Sequence, residues 1–167
     1  MKTMFSSFYL AMGMTSVLIF CGYSNQACAS DTCSLLSQEQ VGTVIPGNDG
    51  GKERDASEAA LFKDVEMGHC SYMHIEGMDF EFLDLIIYRT SSDEGFEQID
   101  ISGRAHNATV GDLGIGDVSY FDEIDDSTIK VAASIGRTVF ELKLNSQDAP
   151  AKSEQLTELA RIVAGKL

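Results

Sequence analysis

From Gly68 to Glu76 the chain alternates with the period of a β-strand. Cys70, Tyr72 and His74 fall on one face, and Ser71, Met73 and Ile75 on the other. Gly77-Met78-Asp79 then turns the chain. Phe80 to Arg89 follows, with Phe82, Leu83, Leu85, Ile86, Ile87 and Tyr88 placing apolar groups on both faces. Such a strand is expected to be central in its sheet and covered on both sides at its middle. The three-residue link makes the two segments an antiparallel hairpin. Three shorter strands are predicted further on. Val118 to Phe121 precedes an acidic turn, Asp122 to Asp126. Thr128 to Ile135 puts Ile129, Val131, Ala133 and Ile135 on one face, and after Gly136-Arg137 the stretch Thr138 to Leu144 turns Phe140, Leu142 and Leu144 inward.

Helical spacing appears in three places. Ser37 with Gln40 forms a capping box, and Leu36 and Val41 occupy the positions of a hydrophobic staple. Gly42 and Pro46-Gly47 keep that helix short. Ser91 to Glu94 opens a mid-chain helix that carries Phe96 and Ile99 inward. At the end of the chain Asp148 is the expected cap and Pro150 lies in the first turn; Leu156, Leu159, Ala160, Val163 and Leu167 recur on one face. Ala56 to Met67 fits a helix or a buried strand equally well. The fold class that follows is α+β: an antiparallel sheet of about five strands flanked by a short N-terminal helix, a mid-chain helix and a C-terminal amphipathic helix.

Residues 1–29 lie outside this domain and read as a secretory signal peptide. Lys2 supplies the positive end, Phe8 to Phe20 the apolar run, and Ala27-Cys28-Ala29 the cleavage site, leaving a single domain over residues 30–167. The apolar run is short for a membrane anchor and contains Gly13, Thr15 and Ser16. Lipidation at Cys21 is the other alternative, and the bulky Phe20 before it argues against that. The expected location is periplasmic or secreted, with no membrane insertion after cleavage. Loss of Lys2 takes the formal charge from −14 to −15. That acidity argues against nucleic acid and anionic membranes as partners and allows a basic protein. Cys33 and Cys70 are the two cysteines left in an oxidising space, so a Cys33–Cys70 disulfide is predicted, worth roughly 4 kcal/mol by loop closure.

Cys33-Ser34-Leu35-Leu36-Ser37, then Cys70-Ser71-Tyr72, then Gly114-Ile115-Gly116-Asp117-Val118-Ser119-Tyr120-Phe121 stand in an order that resembles the DUF3558-like family of small exported proteins, whose fold is similar to the Mog1/PsbP group. Family members typically read Gly-Leu-Gly-Asp-x-Ala-Tyr-Phe in the third motif, and many carry a lipidation site that this chain lacks in good form. The resemblance implies an antiparallel α+β domain with its cysteines bridged. It implies no reaction.

The chemistry-bearing residues give no catalytic or metal-binding pattern. His69 and His74 are five positions apart and point to opposite faces of one strand. A small hydrolase with a site built from His74, Glu76 and His106 is a further alternative reading. There is no Gly-x-Ser-x-Gly elbow. Asp49 and Asp55 do not fit a calcium loop, and the glycines at 111, 114 and 116 lack the strand, helix and lysine of a phosphate cradle. Pairs such as Asp79 with Glu81 or Asp122 with Asp125 are expected by chance in so acidic a chain. Asn107-Ala108-Thr109 is a glycosylation sequon, relevant in a eukaryotic secretory route. No cofactor is called for. The reading is an exported, disulfide-stapled, non-catalytic binding domain whose partner is a protein or envelope component. Its candidate interaction loop runs from Gly111 to Phe121 and carries Asp112, Asp117, Tyr120 and Phe121. The alternative in which Tyr120 and Phe121 straddle the sheet, one buried and one half exposed, stands beside it. An immunity-type inhibitor of an exported toxin is a second reading of the same features.

Overall fold

The computed structural model describes residues 31–55, 62–105, 108 and 112–167. Signal-peptide, sequon and His106 expectations lie outside these residues. Six strands form one antiparallel sheet: β1 (Lys52–Glu53), β2 (Val65–Glu76), β3 (Asp79–Thr90), β4 (Val118–Asp125), β5 (Thr128–Ile135) and β6 (Thr138–Asn145). Their order across the sheet is β1-β2-β3-β6-β5-β4. The sixth strand, beyond the about five expected, is β1, two exposed residues paired with Ser71 and Cys70. The helices are α1 (Gln38–Val41), α2 (Asp93–Ile99), α3 (Ser102–Ala105) and α4 (Ser153–Ala164), with single 3-10 turns at Thr32–Leu35 and Ala149–Lys152.

One face of the sheet holds the main core. Cys70 and Tyr72 of β2, Leu83, Leu85 and Ile87 of β3, Phe140, Leu142 and Leu144 of β6, and Ile129, Val131 and Ala133 of β5 are buried there. Leu156, Leu159, Ala160 and Val163 of α4 pack onto it, as the helical spacing predicts. Leu167 does not join them; it lies past the helix end and is 37% exposed. The Ser37 capping box is complete, and the staple residues Leu36 and Val41 both reach the core. Asp148 makes no cap hydrogen bond. Its carboxylate turns to Lys152 at 2.8 Å instead, since the 3-10 turn moves the true start of α4 to Ser153.

The Cys33–Cys70 bridge is present, with Cα atoms 5.2 Å apart. Next to it the buried Tyr72 hydroxyl donates to the carbonyls of Leu36 (2.8 Å) and Cys33 (3.2 Å). Burial, with Glu53 and Asp31 nearby, pushes the Tyr72 phenol up to about 12, so it stays a donor. Disulfide and phenol together clamp the N-terminal segment over the middle of β2.

The second face is covered unevenly. A smaller cluster of Val65, Ile99, Ile101, Tyr120, Ala132 and Val139 lies under α2 and α3 at one end. Ser92 caps α2 through the Gly95 N–H, and Ile99 is buried while Phe96 is half-buried. Among the described residues no helix lies over the other end of this face. Phe82 and Ile86 are therefore half-buried, and β3 is not covered on both sides along its middle.

Candidate functional site

The uncovered end of the sheet is the outer part of the β2–β3 hairpin. The two strands stay paired to Glu76↔Asp79, while β6 accompanies β3 only from Phe82 onward. Pairing by twos gives this end two unlike sides. On one side Met73 lies opposite Phe82 and Ile75 opposite Phe80. The Phe80 and Phe82 rings are 5.4 Å apart. Ile75 is 64% exposed, Phe80 47% and the turn residue Met78 100%. Gly77 makes the turn with a positive φ of 64°, which a side chain would resist.

The other side of the hairpin end is acidic. His74 lies opposite Glu81 and Glu76 opposite Asp79. These residues border an open cleft of about 800 Å³, closed on the far side by Pro46-Gly47 and by Gln147, Asp148 and Lys152. Lys152 reaches Glu81 and Asp148 at 2.8 Å each, and Ser146 donates to Glu81. Burial pushes the Glu81 carboxyl up, but the hydrogen bonds from Lys152 and Ser146 outweigh it and hold the group below its ordinary value. Burial likewise opposes the charge on Lys152, and its two carboxylates outweigh that and raise it. Four carboxylates against one ammonium leave this side negative. His74 donates from Nδ1 to the Gly47 carbonyl (3.1 Å), and its Nε2 stands 3.7 Å from Glu76.

Further along the open face the chain brings together His69, Ser71 and Asp84, a set the sequence reading did not single out. A Ser-His-Asp cluster invites comparison with a hydrolase triad. In a triad the histidine bridges, using one ring nitrogen for the acid and the other for the serine. Here His69 Nε2 faces both Asp84 (3.1 Å) and Ser71 (3.4 Å), and Ser71 donates directly to Asp84. The acid thus takes the proton that the histidine would need to remove. Burial raises the Asp84 pKa, the hydrogen bonds of His69 and Ser71 more than offset this, and Asp84 remains a carboxylate. The cluster borders a shallow groove of about 570 Å³ with Met67, Met73, Phe80 and Phe82. The signal for it was the i, i+2 spacing of His69 and Ser71, but only the cross-strand register Ser71↔Asp84 completes it.

The predicted interaction loop is built differently from the expectation. Tyr120 and Phe121 are both buried, at 2% and 3% exposure, one in each cluster on the two faces of the sheet. The straddling arrangement holds, with neither ring half exposed. Asp112 accepts from the Gly114 N–H (3.0 Å) and the Ser119 hydroxyl (2.8 Å), and these bonds hold its carboxyl below the usual range. Asp117 accepts from the Gly136 N–H at 2.7 Å. All four side chains serve the loop and sheet, because residues flanking a strand that is buried on both faces have their partners within the fold. Asp49, once weighed for calcium, accepts from Lys52 and from the Met73 N–H. Among the described residues no group of three or more His, Cys, Asp or Glu side chains is arranged to hold a metal ion.

No family model, curated protein or solved structure matches the chain. The hairpin end therefore has to be read from its own chemistry.

Proposed function

We propose that this protein is an exported, non-catalytic binding domain that engages a protein partner through the outer end of the β2–β3 hairpin. The observation that carries the reading is the contiguous exposure of Ile75, Met78 and Phe80 beside half-buried Met73 and Phe82. Scattered apolar side chains on a surface need no explanation, whereas a contiguous patch held out on a projecting hairpin marks an interaction site. The exposed fractions amount to about two whole side chains, so covering them releases roughly 3–6 kcal/mol before the costs of association. Export and a location in the periplasm or outside the cell are part of the proposal, in keeping with the leader-like residues 1–29 and a bridged cysteine pair. Kinship with the DUF3558-like exported proteins belongs to the same proposal.

The acidic side of the hairpin favours one narrower version, an inhibitor that neutralises the basic site of an exported toxin. The test of the general reading is a pull-down from the cell envelope with the disulfide-bonded protein as bait. The parallel bait is the I75S/M78S/F80S variant, which changes only exposed residues. A partner held by the first and lost by the second supports the reading. Equal capture by both baits overturns it.

A further inference from the structure

We infer that the partner is a basic protein with a cleft that receives the hairpin end as a two-sided blade, apolar on one wall and cationic on the other. This rests on the binding role proposed above and adds the partner's chemistry. The strand register carries it. Ile75/Phe80 and Met73/Phe82 are cross-strand pairs on one side, and Glu76/Asp79 and His74/Glu81 are pairs on the opposite side. An apolar patch alone would suit many occupants. A patch backed at a strand's thickness by Glu76, Asp79 and Glu81, with Asp148 across the cleft from them, suits few.

Charge decides among the occupants. A second copy docked by two-fold symmetry through the apolar side leaves both acidic sides in water, and one that met the acidic side by the same symmetry would set like carboxylates against one another at Glu76 and Asp79. A lipid surface rich in anionic headgroups is repelled by the same groups and by the chain's formal charge of −14. A flat apolar partner covers Phe80 and leaves the acidic side in water, gaining nothing from it. Only a surface that closes around both sides uses Met78 at the tip, which is fully exposed and stands between them. Glu76 is accessible to such a partner: its side chain is 85% exposed, and its contact with His74 is long, at 3.7 Å. Lys152 is already engaged with Glu81 and Asp148, so it offers little competition for incoming cations.

The experiment uses the disulfide-bonded protein and three synthetic twelve-residue peptides: lysine alternating with leucine, lysine alternating with serine, and glutamate alternating with leucine. Amide chemical shifts report where each binds. The lysine/leucine peptide is expected to perturb residues 73–82 and to bind at least tenfold more tightly than either control, with affinity falling as salt rises. E76Q/D79N is expected to flatten the salt dependence, and I75S/M78S/F80S to abolish the tenfold advantage over lysine/serine. Preference for the glutamate/leucine peptide, shifts scattered over all acidic surfaces, or absence of binding overturns the inference. So does tight binding to vesicles of anionic phospholipid, or dimerisation in sedimentation that the triple variant removes. Failure here is separable from failure of the binding role. A natural partner that depends on Ile75, Met78 and Phe80 but ignores salt and E76Q/D79N keeps the role and removes the basic cleft.

Discussion

Removing the Cys33–Cys70 bridge tests how the N-terminal segment is held. The bond joins residues 37 positions apart, and the loop it closes in the unfolded chain costs roughly 4 kcal/mol of conformational entropy when the cross-link is absent. The native side of the balance should change little. Tyr72 still donates to Leu36 and Cys33, Glu53 still accepts the Cys33 N–H at 2.9 Å, and Leu36, Val41, Val44 and Ile45 remain in the core. Cys70 is fully buried, so replacing both cysteines with alanine also removes two sulfur atoms from a packed site, adding about 1 kcal/mol. The expected loss in C33A/C70A is therefore about 4–5 kcal/mol, a fall in Tm of roughly 15 °C for a domain of this size. Urea titration of the variant and of the oxidised protein measures it. The midpoint should drop, and the slope should rise because the uncrosslinked unfolded state exposes more surface. A loss below about 1 kcal/mol would mean that the unfolded chain keeps the two segments together without the bond, and the loop-closure reasoning would be wrong.

Three further outcomes follow from particular contacts. Gly116→Ala places a Cβ 2.3 Å from the Ser134 carbonyl oxygen at a φ of +67°, so it should cost roughly 2–4 kcal/mol in chemical denaturation; Gly114→Ala, at a φ of +66° but with open space around it, should cost only about 1–2 kcal/mol. Glu81→Gln deprives half-buried Lys152 of one carboxylate and should cost about 1–3 kcal/mol at pH 7. Because folding lowers the Glu81 pKa from 4.5, that difference should be complete above this value and shrink as pH falls through the folded one, and thermal melts from pH 7 to pH 2.5 would expose a constant difference as a refutation. Ser71 donates its hydrogen bond to Asp84, so a fluorophosphonate probe should leave it unlabelled; stoichiometric labelling seen by mass spectrometry would refute this reading of the His69/Ser71/Asp84 cluster.

The core was legible in the sequence, and the site was not, for a physical reason. Period-two alternation identifies which residues share a strand face, and the strands containing Cys70/Tyr72, Ile129/Val131/Ala133 and Phe140/Leu142/Leu144 are buried on the faces so identified. Local hydrogen bonding is equally readable, as the Ser37–Gln40 capping box shows. What a single chain does not state is which face another element will cover. Tyr120 and Phe121 looked available because they adjoin an acidic, glycine-rich loop, yet α3 and the core cover both sides of β4. Phe82 and Ile86 looked doubly buried because β3 is apolar on both faces, yet α2 and α3 stop short of them. Register has the same character. Neither His69-x-Ser71 nor Asp84 is informative until the hairpin sets Ser71 opposite Asp84.

That register also explains why docking should concentrate at the hairpin end and not spread over the open face. Ser71, Asp84, Lys143, Lys130 and Asp122 follow one another as neighbours on five consecutive strands. The row contains two acids and two bases, and Lys130 is further engaged, standing 5.5 Å over the Tyr120 ring and 4.0 Å from Glu141. A charge-balanced row across a sheet has little attraction for either sign of partner, and desolvating it costs more than a surface pairing returns. It separates the apolar cluster under α2 and α3 from the apolar residues of the tip. Without it the two would merge into one sticky face, open to non-specific association. With it, the exposed apolar residues Ile75, Met78 and Phe80 stay grouped at the β2–β3 end, beside the carboxylates on the reverse side, where a partner can engage both at once.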